Sequence, residues 1–275
     1  MKSQKSAASR SPRLRFLPTP RDRLILESIY THGRLTADQI RRLLFRKPHG
    51  ELPSRQAVNA RLRKLVDHAY LEPLVVNAGH GAGPYAYGIA ARGLAALGLA
   101  SAVRRRTSTR PVWHQLEVAE FRVRLQHALQ ARGGALAEWL GESSLRSLLV
   151  GRRGLPVSDA LVHWRLPGRE GTFLLEWDRG SESLAILVAK LERYAGYWRS
   201  RGHRELVPGL GLRPRLAVVV MTGERRDRLV RWLLERPAQR PSSTILVGLA
   251  ERVLCAPLGR SWWRSDTTIL ETLYD

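Results

Sequence analysis

The chain has 275 residues, 44% of them hydrophobic and 25% charged, which is enough for two domains with separate cores. It has no apolar run near the ~20 residues that cross a bilayer, and its basic N-terminus lacks the apolar segment of a secretory signal. The single cysteine, Cys255, excludes an internal disulfide framework and a cysteine-based zinc site. We therefore expect a cytoplasmic protein without membrane contact, and we expect Cys255 to be a small buried apolar side chain.

Positive charge is the strongest global signal in this sequence. The formal net charge is +22, and the first 110 residues contain 21 Lys and Arg against 6 Asp and Glu, which gives that part +15. An Arg-rich coding bias explains the preference for Arg over Lys, but it does not explain this clustering. Since cationic side chains displace counterions from phosphates, the clustering indicates a polyanionic partner, and we expect double-stranded DNA.

The N-terminal part begins with a basic arm and two short helices. Residues 1–18 are rich in Ser, Arg and Pro, and they are expected to be disordered. Thr19 and Asp22 have the spacing of a capping box, which predicts the start of a first helix. Thr36 and Gln39 repeat that spacing and predict a second short helix.

A third helix is predicted to follow Ser54 and to present a polar face to DNA. Val58, Leu62, Leu65 and Val66 recur at helical spacing and form its buried stripe. The opposite face carries the side-chain types that read guanine and adenine edges in the major groove. The predicted DNA-binding residues are Arg55, Gln56, Asn59, Arg63 and Lys64 on this helix, Arg41 and Arg42 on the second helix, and Arg104, Arg105 and Arg106 in a following linker.

Two predicted strands, YLEPLVVN and PYAYGIA, follow the third helix and are joined by a Gly-rich segment. Three short helices followed by a hairpin is the element order of a winged helix-turn-helix, whose third helix enters the major groove and whose wing contacts phosphates. We therefore predict a winged-helix DNA-binding domain at residues 19–100 and a basic linker at 101–112. The same fold can also serve as a protein-docking module.

Helices alternate with apolar strands in the rest of the chain. The pattern predicts a long helix from residue 113, a strand near 135–140, and irregular or strand-like chain to 150. A hairpin across Pro167-Gly168 follows, and then a long amphipathic helix, a strand, a helix and a strand. This order describes a mixed sheet with a helix on each face, so we predict an α+β chain whose second domain spans 113–275. No element is assigned to residues 251–275.

Acidic side chains are grouped near the end of that hairpin. Glu176 and Asp178 alternate along one strand and therefore share a face, Asp159 precedes the neighbouring strand, and Lys190 lies on the following helix. Converging carboxylates supply the hard oxygen ligands that Mg²⁺ requires, and such an ion would activate water and neutralise phosphate charge. The candidate metal ligands are Asp159, Glu176 and Asp178, and the candidate catalytic residues are the same three with Lys190. Mg²⁺ is expected only if this site is active.

The alternative interpretation of the acidic group is a salt-bridge network with Arg179, Lys190 and Arg193. Networks of this kind are common on protein surfaces and contribute little stability, so they need no catalytic role. For His114 two interpretations are open, a catalytic role and a capping or packing role at a helix start, and the second is favoured.

The acidic arrangement resembles a PD-(D/E)XK nuclease-like core. In this resemblance Asp159 follows Ser158 in place of the Pro-Asp step, and Glu176 is the acidic residue of the second strand. Asp178 stands where the family has lysine, and Lys190 on the next helix could supply the missing cation. The resemblance implies a mixed sheet of nuclease-like topology.

The chain as a whole resembles the replication-relaxation family of plasmids and integrative elements. The matching features are the winged helix, His114-Gln115-Leu116, Asp159-Ala160, the run from Glu176 to Glu182, and Lys190-x-x-x-Tyr194. The resemblance implies DNA binding in the replication or relaxation of mobile DNA, with replication or mobilisation proteins as further partners. A nucleoid- or plasmid-associated location in the cytoplasm follows from it.

Three functions are compatible with these observations. The favoured one is a DNA-binding protein of a mobile element whose nuclease-like domain is degenerate, because Asp178 replaces the expected lysine. The second is a Mg²⁺-dependent DNA endonuclease or nickase. The third is a winged-helix transcriptional regulator whose second domain senses a partner or a ligand.

Overall fold

The computed structural model describes residues 16–45, 51–76, 84–99, 111–149, 156–199, 214–236, 245–264 and 270–273. Within these ranges the helices are α1 (Pro20–His32), α2 (Ala37–Leu44), α3 (Arg55–Asp67), α4 (Ala91–Ala96), α5 (Val112–Gln130), α6 (Glu142–Leu148), α7 (Leu184–Arg199), α8 (Gly223–Glu235) and α9 (Ala250–Cys255). The strands are β1 (Arg34–Thr36), β2 (Leu71–Val75), β3 (Tyr85–Ile89), β4 (Ala135–Gly141), β5 (Ala160–Leu166), β6 (Arg169–Asp178), β7 (Arg215–Val220), β8 (Ile245–Leu249), β9 (Trp262–Arg264) and β10 (Leu270–Glu271). None of the helices described is both long and apolar enough to cross a membrane.

The N-terminal unit has the order α1, β1, α2, α3, β2, β3. Its strands form a small antiparallel sheet in the order β1-β3-β2. Both predicted capping boxes are present, one at Thr19 and Asp22 and one at Thr36 and Gln39, and Ser54 caps α3. These caps satisfy backbone N–H groups at the helix starts, so the predicted boundaries are confirmed. Strand β1 was not predicted.

The chain before α1 is packed at Phe16, which corrects the expectation of disorder through residue 18. The ring of Phe16 stacks on the imidazole of His68 with centroids 4.5 Å apart, and the Tyr70 hydroxyl donates a hydrogen bond to the Phe16 carbonyl at 3.3 Å. The aromatic side chain of Phe16 therefore anchors the end of this basic segment to the N-terminal unit. The rest of the predicted arm, residues 1–15, lies outside the described residues.

The C-terminal unit is built on a seven-stranded mixed sheet in the order β10-β9-β8-β7-β6-β5-β4. Strands β4, β5 and β6 are antiparallel neighbours, β6, β7 and β8 are parallel, and β9 and β10 continue the sheet in antiparallel fashion. The predicted hairpin across Pro167-Gly168 is confirmed, with Gly168 at a φ of 73° that favours glycine. The whole chain is therefore α+β, with one small antiparallel sheet and one large mixed sheet.

Helices cover both faces of the large sheet. Helices α5 and α9 pack on one face around Phe121, Phe173 and Trp262, and α7 and α8 pack on the other around Leu191 and Trp198. The polar end of β6 meets α7 and α8 on this second face, so the fold brings the acidic residues of β6 next to Lys190.

Three short features differ from the sequence-based expectations. A helix, α6, occupies residues that were expected to be irregular or strand-like. The C-terminal tail, which had no assigned element, supplies the edge strands β9 and β10, and Trp262 on β9 is fully buried. Cys255 ends α9 and is exposed, so the prediction of a buried cysteine is wrong.

Helix α5 contacts both units. Its Ala119 lies in the hydrophobic core of the N-terminal unit, whereas Phe121 lies in the core of the large sheet. The side-chain amide of Gln39 on α2 also donates a hydrogen bond of 2.8 Å to the backbone carbonyl of Leu116 on α5. Helix α5, which was expected to begin the second domain, therefore also packs against the N-terminal unit.

Candidate functional site

The exposed face of α3 carries the predicted DNA-reading residues. Val58, Leu62 and Leu65 are buried as the helical spacing predicted. The opposite side of the helix is open to solvent, where the exposed side chains are Arg55, Gln56, Asn59, Arg63 and Lys64. The amphipathic pattern thus places guanidinium, amide and ammonium groups together on one accessible surface.

A groove of about 730 Å³ lies between α3, the hairpin of β2 and β3, and the start of α2. Arg55, Asn59 and Arg63 line its α3 side, and Tyr85 and Tyr87 line its hairpin side. The remaining lining residues are Thr36, Ala37, Asp38, Arg41, Val58, Val66, Pro73 and Pro84. The groove combines three guanidinium groups with an apolar and aromatic wall.

The two arginines of α2 have different surroundings. Arg41 lines the groove, and its Nη2 lies 3.0 Å from Asp38 Oδ1. Arg42 instead reaches α5, where its Nη1 lies 2.9 Å from Glu120 Oε1 and its Nη2 contacts the second oxygen. This two-pronged pair holds α2 against α5 and engages the Arg42 guanidinium, and the contact of Arg42 with DNA stays a prediction.

Arg104, Arg105 and Arg106, the other predicted DNA contacts, fall in the linker. These three residues lie outside the described residues, and their assignment stays a prediction.

Glu176 lies at the centre of the acidic site. It is buried on β6, and its two carboxylate oxygens accept hydrogen bonds from the Lys190 ammonium and the Tyr194 hydroxyl. Lys190 and Tyr194 are one helical turn apart on α7, so they reach the same carboxylate from one helix face. The predicted proximity of Glu176 and Lys190 is present.

Burial changes the acidity of Glu176. It raises the pKa of this carboxyl from 4.5 to about 7; Lys190 opposes the rise and the nearby charge of Asp159 adds to it. Burial and the Glu176 carboxylate likewise raise the pKa of the Tyr194 hydroxyl well above its usual value. Close to neutral pH the Glu176 carboxyl therefore exchanges between its neutral and charged forms.

Asp159 lies just before β5 and is also buried. Its Oδ2 accepts a hydrogen bond of 2.7 Å from the backbone N–H of Trp177, and its Oδ1 lies 2.9 Å from Nε2 of His114 on α5. Asp159 and His114 also line a small cavity of about 40 Å³ that reaches His32 on α1. Asp159 thus joins the end of the sheet to the helices beside it.

Asp178 is held away from this group. Its carboxylate is paired with the Arg225 guanidinium from the first turn of α8, with Nη2 to Oδ1 at 3.1 Å, and Oδ1 also accepts the Gly180 N–H at 2.9 Å. In the described part of the chain, no three His, Cys, Asp or Glu side chains are grouped so that they could hold a metal ion. The expected three-carboxylate set of Asp159, Glu176 and Asp178 is therefore not formed.

The observed side chains do not fit a Mg²⁺ ion. A hard cation needs carboxylate oxygens that face it. Both oxygens of Glu176 already accept protein donors, and Asp159 faces a backbone N–H and an imidazole. No catalytic step through a metal is derived for this arrangement.

The ion pairs around the site differ from the network expected as the alternative. Arg179 pairs with Glu117 of α5 at 3.0 Å, and the Trp177 indole N–H donates to the same carboxylate at 3.0 Å. Of the three expected cations, Lys190 is the one that contacts Glu176. The network ties the end of β6 to α5, α7 and α8.

Tyr194 and Arg225 were not proposed as functional from the sequence. Tyr194 carried a signal, because its spacing from Lys190 places both on one helix face. Arg225 carried none, since it lies 47 residues from Asp178 in the chain. A catalytic role was considered for His114 from the sequence, but its contact with Asp159 was not predicted.

Comparison with known protein families identifies the family to which this chain belongs. A family model described as Replication-relaxation matches residues 26–210, which is most of the chain. The chain belongs to the replication-relaxation family. The match begins within α1 and continues through α7, so it includes the exposed face of α3 and the site around Glu176, Lys190 and Tyr194.

Among solved structures, restriction endonuclease FokI is similar to 86% of this chain at 12% sequence identity and a TM-score of 0.31. The chain spans 43% of the length of that protein. This likeness is too low to indicate a common fold. No match was found among curated proteins.

Proposed function

We propose that this replication-relaxation protein binds double-stranded DNA through a winged helix and acts in the replication or relaxation of mobile-element DNA. The order α1, β1, α2, α3, β2, β3 and the sheet order β1-β3-β2 support the winged-helix assignment. In this assignment α3 is the recognition helix, and the hairpin of β2 and β3 is the wing.

The observation that carries the proposal is the composition of the exposed face of α3. Arg55, Asn59 and Arg63 are exposed together with Gln56 and Lys64. Val58, Leu62 and Leu65, on the opposite side of the helix, are buried in the core. Arg and Asn side chains form paired hydrogen bonds with guanine and adenine edges, and the surrounding positive charge attracts the phosphates.

We propose further that the C-terminal unit is a degenerate PD-(D/E)XK nuclease-like domain with a scaffolding or partner-binding role. The order α5, β4, α6, β5, β6, α7, β7, in which β4, β5 and β6 are antiparallel neighbours and β7 is parallel to β6, supports the nuclease-like topology, with α6 inserted between the first two strands. The contacts of Lys190 and Tyr194 with both oxygens of Glu176 support the loss of metal binding.

The test is DNA binding by the full chain and by the triple variant Arg55→Ala/Asn59→Ala/Arg63→Ala, measured by fluorescence anisotropy with EDTA present. We expect the wild type to bind in EDTA, and the triple variant to lose about 100-fold in affinity, because each good base contact contributes roughly 1–3 kcal/mol. The variant keeps the helix, since alanine is the best helix former.

The matched control is Arg228→Ala/Arg231→Ala, which removes two exposed cations from α8. Its affinity should stay close to wild type. If the triple variant binds as tightly as this control, the recognition helix is wrong. With Mg²⁺ or Mn²⁺ and supercoiled plasmid, we expect no nicking; nicking that Asp159→Ala abolishes would restore the nuclease hypothesis.

A further inference from the structure

The groove beside α3 has the composition of a ligand site. Its volume of about 730 Å³ lies within the roughly 300–1,000 Å³ of pockets that enclose a small ligand. One wall is apolar and aromatic, with Pro73, Pro84, Tyr85 and Tyr87, and the facing wall carries the polar groups of α3. A track for phosphates alone would not need this aromatic wall.

The two tyrosines present a surface for stacking. Tyr85 and Tyr87 are two residues apart on β3, so their side chains share one face of the hairpin. Tyr85 is 55% exposed, although its side chain is large and mostly apolar. The pKa of the Tyr87 hydroxyl is raised by burial and by Tyr85, with Arg63 acting in the opposite direction. Tyr85 and Arg63 therefore both lie close to Tyr87.

A base in an intact duplex cannot use this wall. Its two faces are covered by its stacked neighbours, and only its edge is accessible in the groove. An unpaired base exposes its face, and proteins bind such bases by stacking them on aromatic side chains inside positively charged grooves.

We propose that this groove holds an unpaired nucleobase of DNA, stacked on Tyr85, with Asn59 and Arg63 bonding its edge and Arg55 contacting the adjoining phosphate. The Arg55 and Arg63 guanidinium groups of the lining are opposite in charge to the strand that carries the base, whereas Arg41 is paired with Asp38. This inference rests on the proposed DNA binding and adds a substrate class. The protein prefers DNA with a locally opened strand, as arises during replication or relaxation, to a fully paired duplex.

The test compares the affinity of the full chain for a paired duplex and for the same duplex with a short bulge of unpaired thymines in one strand. We expect the bulged DNA to bind about tenfold more tightly, the size of effect that stacking of a base on an aromatic ring gives. Tyr85→Ala should reduce this ratio to near one, and Tyr85→Phe should preserve it because the ring remains. A 2-aminopurine in the bulge should lose fluorescence on binding the wild type but not Tyr85→Ala.

The matched control is Leu74→Ala on the neighbouring strand, since Leu74 is exposed and does not line the groove. It should preserve the ratio. Equal affinity of the wild type for the two DNAs, or a ratio that survives Tyr85→Ala, overturns the nucleobase site and leaves the DNA-binding proposal intact. Failure to bind either DNA overturns both.

Discussion

Glu176 shows how burial controls a single charge in this protein. Its carboxyl is almost inaccessible to water, and burial raises its pKa to about 7 even though Lys190 donates to it. Lys190 therefore offsets only part of the desolvation. Because part of the desolvation of Glu176 is left uncompensated, the folded protein is less stable with a charged Glu176 carboxylate than with a neutral Glu176 carboxyl.

The stability of the protein should therefore fall as the pH rises through the Glu176 titration. Between pH 4.5 and about 7 the folded protein binds a proton that the unfolded chain has released, so the free energy of unfolding decreases as the pH rises. Glu176→Gln removes this titration, and above pH 7 it should be more stable than wild type by up to about 3 kcal/mol. Urea unfolding of both proteins at pH 5 and pH 8 measures the difference.

The prediction is contradicted if the free energy of unfolding changes by the same amount in the wild type and in Glu176→Gln between pH 5 and pH 8. Glu176 would then be ionised in the folded protein at both pH values. Glu182→Gln is the control on the same segment, because Glu182 is exposed and should not alter the pH dependence.

The sequence predicted some of these residues together and not others. Glu176 and Lys190 were predicted to be close, because a strand and the helix after it are joined by a short connection. Asp178 was expected to join them because alternation gave it the same face as Glu176. Alternation along the strand could not show that Asp178 forms an ion pair with Arg225, which lies on a helix far along the chain, instead of joining Glu176 and Lys190.

At the scale of elements, α5 connects the two units. Apolar residues lie on a broad arc of this helix, including Leu116, Ala119, Phe121 and Val123, all of them buried. An apolar arc wider than an ordinary helix stripe can pack against more than one neighbour. The sequence showed this apolar coverage of α5, but it did not indicate that the N-terminal unit supplies part of the cover.

The pair of Arg42 and Glu120 should contribute to this contact. Both side chains are largely buried, with 18% and 20% exposed. Glu120→Ala leaves the Arg42 guanidinium without its main partner, and we expect a loss of about 1–3 kcal/mol in the free energy of unfolding. The control Glu27→Ala removes an exposed pair with Arg23 on α1 and should change stability by less than about 0.5 kcal/mol.

Chemical denaturation of the three proteins measures these values. If Glu120→Ala is no more destabilising than Glu27→Ala, the pair does not hold α2 to α5, and it gives no reason against a contact of Arg42 with DNA.

Elements with a clear hydrophobic period or a helix cap were predictable, and the shortest strands were not. The helices α1, α3, α5 and α7 carry apolar residues at helical spacing or clear capping signals, so their existence was correctly inferred. The strands β1, β9 and β10 have two or three residues each, which is too few for a period to appear. The sheet edge around Trp262 forms through pairing with β8, which is information that the local sequence does not contain.

At the scale of the whole molecule, charge and topology favour the same surface for the proposed DNA binding. The N-terminal part of the chain carries most of the net charge, and its exposed face of α3 and neighbouring groove concentrate Arg side chains. The C-terminal unit pairs its acidic residues internally with Lys190, Arg225 and Arg179. Such pairing keeps its carboxylates from repelling a bound polyanion.

The most direct measurement of the central claim is the salt dependence of DNA affinity. Each phosphate that the protein neutralises contributes about 0.9 to the slope of log affinity against log salt concentration. We expect a steep negative slope for the wild type, and a slope shallower by about one for Arg55→Ala/Arg63→Ala, because Arg55 is proposed to neutralise a phosphate whereas Arg63 is proposed to bond a base edge. The double variant Arg228→Ala/Arg231→Ala removes the same charge from α8 and should keep the wild-type slope. Equal slopes for the two double variants would contradict the assignment of α3 as the DNA-binding helix.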